Sequence, residues 1–184
     1  MGANVGAGNW LKTQDSAMII IDKLRNSSQF TLSTTLATAD THQYGPARII
    51  SISKNLYYRN VTLGQWDNHL NLRLRTPLTK NNGQRPELIV PNVFSDTKTH
   101  NLIVTYDGSL LAVYLDDIQH RHTIEFTPEA ALFWFLAPTP RSTLHVNISN
   151  TKFYHLLYHV LIFLPSGIIL YLITNIFKEK FSFH

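Results

Sequence analysis

The run HLNLRLRT, residues 69–76, is the stretch of this chain best suited to hold a ligand. Asn71, Arg73 and Arg75 alternate with Leu70, Leu72 and Leu74, so on a strand the leucines face a core and the polar residues share the opposite face. A guanidinium presents a planar fork of donors that grips a carboxylate or phosphate through two parallel hydrogen bonds. With Gln65, Trp66, Asn82 and Arg85 nearby in sequence, Arg73 and Arg75 form a candidate surface for an anionic sugar or for an acidic patch on a partner protein. The competing reading is a solubilising face laced with cross-strand salt bridges.

Other residue types offer less. Calcium needs several oxygens converging from loops, and Asp96, Asp107 and Asp116, with Asp117, are the carboxylates available for it. Asp107-Gly108 is also hairpin-turn chemistry and Asp116-Asp117 opens the next turn, which is the reading expected here, with no cofactor. His120 and His122 would share a face of one strand, but no third metal ligand stands near them. The sequence has no cysteine, which removes disulfides, thiolate nucleophiles and thiolate metal sites together.

The elements that must position these residues follow from patterning. Short β-rich runs separated by turn residues predict strands near 28–38, 46–53, 59–66, 69–76, 87–90, 100–106, 110–116 and 119–126. Such spacing points to an antiparallel sandwich. Ahead of them, DSAMIIIDKLRNS opens with Asp15 and places Met18, Ile21 and Leu24 on one face, predicting a short helix against the edge or end of the sandwich. Residues 76–87 form the longest turn-rich stretch of the β region, where binding functions tend to sit.

After residue 126 the texture changes. Thr127, Pro128 and Glu129 are suited to start a helix that ends by Pro138. Its apolar residues, Trp134 among them, are too few to cross a bilayer and fit a membrane interface, with a last core strand as the alternative. From Phe153 to Phe177 the 25 residues contain no Asp, Glu, Lys or Arg. At 1.5 Å per residue they make about 37 Å of helix, enough for a hydrocarbon core of about 30 Å. This predicts one transmembrane helix with Tyr158 and Tyr171 as interfacial aromatics, and a kink or partner-facing notch at Pro165 and Gly167.

The formal charge of +4 comes from 16 Lys and Arg against 12 Asp and Glu without a basic run, so nucleic acid is not an expected partner. The first residues have neither a basic start nor an apolar core, so they do not read as a signal peptide.

GPARIISIS (45–53), RNVTLGQWDNHLNLRLRTPL (59–78), NNGQRPELIVPNVF (81–94) and HNLIVTYDGSLLAVYLDD (100–117), in this order, resemble the concanavalin A-like, laminin-G-like sandwich of bacterial membrane proteins. The likeness is to the version fused to VanZ-like membrane segments, which FTPEAALFWFLAP and FYHLLYHVLIFLPSG also resemble. It implies a mainly β, jelly-roll sandwich attached to a membrane. VanZ-like proteins cross the membrane several times, whereas one span is predicted here, so a multi-helix activity does not transfer.

Glycosidases of that fold flank one bond with carboxylates about 5 Å apart. The four Glu, at 87, 125, 129 and 179, form no such run, and adjacent Asp116 and Asp117 would point to opposite faces, so no enzymatic activity is expected.

The expected organisation is an N-terminal extension (1–14), a sandwich (15–126), an interfacial helix and linker (127–150), a transmembrane helix (151–178) and a short tail (179–184). The expected function is a non-catalytic interaction module, an accessory or structural subunit of a bacterial inner-membrane complex, with binding of envelope glycans as the alternative. It would contact lipid through a single pass. Lys178 and Lys180 suggest a cytoplasmic C-terminus and an extracytoplasmic sandwich, an asymmetry that Arg141 and Lys152 weaken.

Overall fold

The computed structural model describes residues 5–6, 9–15, 17–55, 57–131 and 151–181. Helix α1 (Met18–Ser27) precedes eight strands: β1 (Phe30–Leu36), β2 (Gln43–Ser53), β3 (Arg59–Asp67), β4 (His69–Leu74), β5 (Leu88–Val90), β6 (His100–Tyr106), β7 (Leu110–Leu115) and β8 (Asp117–Glu125). They form two four-stranded sheets, sheet A in the order β1-β6-β7-β8 and sheet B in the order β2-β3-β4-β5, with every described pairing antiparallel. Sheet B is thus one meander inserted between β1 and β6.

The sheets pack face to face because their strands alternate. In sheet A, Leu102, Val104, Leu111 and Val113 are buried, with Phe30, Leu32 and Leu36 packed against them. Sheet B answers with Val61, Leu63, Leu70, Leu72, Leu74, Leu88 and Val90. Phe94, from the connection after β5, is fully buried in the same cluster, and its N–H donates to the Asn68 carbonyl at 2.9 Å.

Turn chemistry fixes the registers. At the β6–β7 hairpin the Asp107 carboxylate accepts from the N–H groups of Ser109 (2.9 Å) and Leu110 (2.7 Å), and Gly108 takes φ +105°, which a side chain would resist. These bonds hold the Asp107 carboxyl below its ordinary pKa, Leu110 N–H first and Ser109 N–H next. Asp116 alone turns β7 into β8 at φ +57°, since Leu115 pairs with Asp117. It is tied to β6 in both directions, its N–H donating to Asn101 O and its carboxylate accepting from Asn101 N–H, each at 2.8 Å.

One expectation needs correction. Helix α1 has no fully buried residue; of the face expected from its pattern, Ile21 and Leu24 are half-buried and Met18 is exposed. Its N-cap is Ala17 with no side-chain cap, not Asp15.

After β8, Thr127 caps a helical turn over 128–131, its hydroxyl accepting from Ala130 N–H at 3.2 Å. The rest of the expected interfacial segment, with Trp134, lies outside the described residues. Helix α2 (Thr151–Phe181) runs for 31 residues, unbroken through Pro165. Its stretch His155–Lys178 is long and apolar enough to cross a membrane, and none of it is buried.

Candidate ligand-binding face on sheet B

Pairing decides which side chains share the outer face of sheet B. Residues directly opposite in an antiparallel pair point the same way. Since Leu63 opposite Leu72 and Val61 opposite Leu74 face the core, the alternate pairs face outward. One outward row is Arg48, Gly64, Asn71 and Ile89, and the next holds Ser51, Thr62 and Arg73, with Trp66 opposite His69 beyond.

An outward row of Asn, Arg and Thr in a two-sheet sandwich is expected to be wet. Here it is buried: Thr62 and Asn71 are 0% exposed and Arg73 5%. Arg73 is matched by Glu87, which the loop 76–87 delivers just before β5, with Nε to Oε2 at 2.5 Å and both side chains 6% exposed. A pair removed from water this fully is held by its mutual geometry, because either member alone would be a buried charge.

Asn71 has no such match. Neither its Nδ2 nor its Oδ1 has a hydrogen-bond partner, although both are buried. Leaving a buried polar group unsatisfied costs about 1–3 kcal/mol, and such a group marks either stored strain or a place where a water, an ion or a ligand completes the bonding.

The surroundings are positive. Burial lowers the pKa of the Arg59 guanidinium, and the positive charges of Arg48 and Arg73 lower it further, so three guanidinium groups share one field. Arg48 in turn lies under Trp10, its Cζ 4.9 Å from the ring centroid, which brings the N-terminal segment over β2. Gly64 allows β2 to pass close: a Cβ there would stand 2.7 Å from the Ala47 carbonyl oxygen.

Of the residues proposed from sequence, Trp66 and Arg73 lie on this face, Trp66 at 41% exposure. Gln65 points the other way and is structural, its amide donating to Asp40 O (2.7 Å) and Asp67 O (2.8 Å) and accepting from the Thr38 hydroxyl (2.7 Å). Arg75 lies beyond the end of β4 with its guanidinium 5.5 Å from the Tyr58 ring, so it does not form a pair with Arg73. With its amide turned to the orientation that satisfies both ends, Asn82 donates to the carbonyls of Tyr57 and Asn81, between loop 76–87 and the β2–β3 connection. Arg85 is exposed, ahead of a cis bond to Pro86.

Sequence reasoning left out Arg48, Arg59, Thr62 and Glu87. Their contacts join strands and a loop that no local pattern links, whereas Asn71 was marked by its alternation with leucines.

The aspartates weighed for calcium sit in connections. Asp107 and Asp116 serve the turns described above. Asp96 pairs with Lys98 at 2.8 Å, which lowers the Asp96 pKa, and lies 3.9 Å from His100 Nε2. His100 Nδ1 lies 2.7 Å from the Asp116 carboxylate and lowers its pKa. Among the described residues no group of three or more His, Asp or Glu is arranged to hold a metal ion. On α2, Tyr171 is exposed, Tyr158 half-buried, and nothing lies within 4 Å of where a Gly167 Cβ would be.

No family model, curated protein or solved structure matches this chain. Nothing in those comparisons identifies a concanavalin A-like or VanZ-type domain, and the architecture stands as two antiparallel sheets followed by an apolar helix.

Proposed function

We propose that this chain is a membrane-anchored recognition module whose sandwich binds an envelope glycan on the outer face of sheet B, without catalysing a reaction on it. The observation that carries this reading is Asn71: a fully buried amide with both ends unpartnered, in a strand whose neighbours are otherwise satisfied. Trp66, exposed on the same face, adds an apolar plane of the kind on which the C–H face of a sugar ring stacks. Binding without turnover is supported by Glu87, whose carboxylate is occupied by Arg73 and is not poised for acid or base work. A bacterial inner membrane is the location that fits the likeness noted in the sequence, with α2 as an anchor.

The full chain in detergent micelles, applied to a glycan array, should bind a subset of glycans and lose them in Trp66→Ala. An array silent for the intact chain overturns the reading.

A second reading, an accessory subunit of a membrane complex, is favoured by α2, whose apolar stretch is unburied among the described residues. Gentle extraction and native gels should then place the chain in a high-mass assembly, and migration as a free monomer would count against it.

A further inference from the structure

Alternating strand direction sorts the connections of the sandwich between two ends. Just past β1 the Thr38 hydroxyl donates to Gln65 near the end of β3, so the β1–β2 connection and the β3–β4 turn share one end. The β5–β6 connection joins them where Phe94 N–H reaches Asn68 O, and the β7–β8 turn where Asp116 is tied to Asn101. The opposite end collects the connections β2–β3 (54–58) and β4–β5 (75–87), the β6–β7 hairpin and the exit of β8.

This second end is the one beside the membrane span. Glu129, just past β8, has its Oε1 3.7 Å from Nδ1 of His155, the first residue of the stretch His155–Lys178. From 159 to 174 every residue of α2 is exposed, so the helix runs clear of the sandwich after its first turns.

The two ends differ in charge. The far end carries Asp40, Asp67, Asp96, Asp116 and Asp117 against Lys98. At the near end, 54–58 and 75–86 carry Lys54, Arg75, Lys80 and Arg85, all exposed, with no Asp or Glu among them. Tyr57, Tyr58 and Leu78 stand exposed beside these cations, with the Arg75 guanidinium over the Tyr58 ring. Helix α1, which enters at this end, adds Lys23 and Arg25 against Asp22. The remaining acids there lie on the sheet A side: Asp107 holds its turn, Glu125 is half-buried and Glu129 faces His155.

Resting on the reading of α2 as a membrane anchor, we propose that the sheet B connections at the near end dock on an anionic bilayer surface. Lys54, Arg75, Lys80 and Arg85 meet lipid phosphates, and Tyr57, Tyr58 and Leu78 enter the headgroup layer, where amphipathic rings settle. The span begins beside Glu129 and packed sheets lie about 10 Å apart, so these side chains stand within reach of the surface from which α2 emerges. Each cation at an anionic surface raises partitioning about fivefold, an effect lost beyond a Debye length of about 10 Å. The acidic far end is repelled by the same surface. Docking therefore holds the sandwich upright, with Trp66, next to Asp67 at the far end, clear of the lipid.

The sequence has no cysteine, so one introduced thiol carries a fluorophore. The full chain is labelled through Asn81→Cys at the near end or Thr97→Cys at the far end, both exposed positions. It is reconstituted in vesicles of phosphatidylcholine, with or without phosphatidylglycerol, that contain a lipid quencher at headgroup depth. The label at residue 81 should be quenched at least about twofold more in the anionic vesicles, and the label at residue 97 in neither. Molar salt should abolish the difference, and so should Lys54→Gln/Lys80→Gln/Arg85→Gln, whereas Lys98→Gln at the far end should leave it unchanged.

Equal quenching at residue 81 in neutral vesicles overturns the proposal, as does quenching at residue 97 or quenching that survives both salt and the triple substitution. No quenching at either position, in a chain that withstands alkaline extraction from the vesicles, overturns the docking and leaves the anchor standing. Release of the chain by alkaline extraction overturns both.

Discussion

Sheets A and B share one core but treat their outer faces differently. In β1, Thr31, Ser33 and Thr35 are exposed between half-buried residues, so this edge strand of sheet A follows the rule of one drier face and one wet face, and in β8 the first five residues are all exposed. In sheet B, five consecutive residues are buried in β3 and another five in β4, although Thr62, Asn71 and Arg73 on the outer side are polar. Alternation in sequence therefore reports which residues oppose the core, and not which of the others meet water. Sheet A has the character of a scaffold, and sheet B carries the only fully buried amide left unpaired among the described residues.

The sharpest way to break this contrast is Glu87→Ala. It strands Arg73 as an unpaired buried charge and should cost about 3–5 kcal/mol in denaturant unfolding of the solubilised chain. A cost under about 1 kcal/mol would mean that the outer face of sheet B is as wet as that of sheet A.

The shared core should not distinguish the sheets. Leu63→Ala in sheet B and Leu102→Ala in sheet A, at 0% and 1% exposure, should each lose about 2–5 kcal/mol by the same measurement. A large imbalance would show that one sheet folds without the other.

Gly108→Ala strains the β6–β7 turn and should cost about 1–3 kcal/mol, with the loss read in hydrogen exchange of β6 and β7 rather than of sheet B. Acid probes the same turns. Asp107 and Asp116 have folded pKa values below their ordinary range, so their contribution is present above about pH 4 and disappears as pH falls through the lowered values. Amide exchange at Ser109, Leu110 and Asn101, corrected for intrinsic rate, should accelerate there.

His42, beside Asp67 at 2.8 Å, behaves oppositely. Its pKa is raised, so its contribution is full below about pH 6.5 and fades as pH rises through the raised value. The group is fully exposed, so the change should be small and confined to the ends of β2 and β3. Smallest of all, Ser33→Ala on the open face of sheet A should stay within about 0.5 kcal/mol of the parent.

Much of the fold was legible because it is local. All eight strands fall within a few residues of where alternation and turn residues put them, and Asp107 turns its hairpin through hydrogen bonds spanning two and three residues. What was not legible depends on distant contacts. Arg73 and Glu87 are 14 residues apart and meet only because loop 76–87 returns along β4. Trp10 meets Arg48 across α1 and β1. For α1, the spacing of Met18, Ile21 and Leu24 names an apolar face but not how deeply it is covered, and only Ile21 and Leu24 of that face are half-buried. The candidate site was half visible: the strand and Trp66 were found, whereas the partners that bury Arg73 and surround Asn71 were not.

The way β8 leaves the sandwich has a mechanical meaning. Phe126 is buried, and its N–H is clamped to the Ser109 carbonyl at 2.7 Å, one residue past an edge strand whose last rung pairs Glu125 with Leu110. Tension arriving from α2 therefore enters at the end of a single ladder and opens it rung by rung from Glu125 toward Asp117, instead of loading all its bonds in shear. Force would peel β8 from sheet A first, whereas the chain enters and leaves sheet B from β1 and β6, three and two strands away from β8.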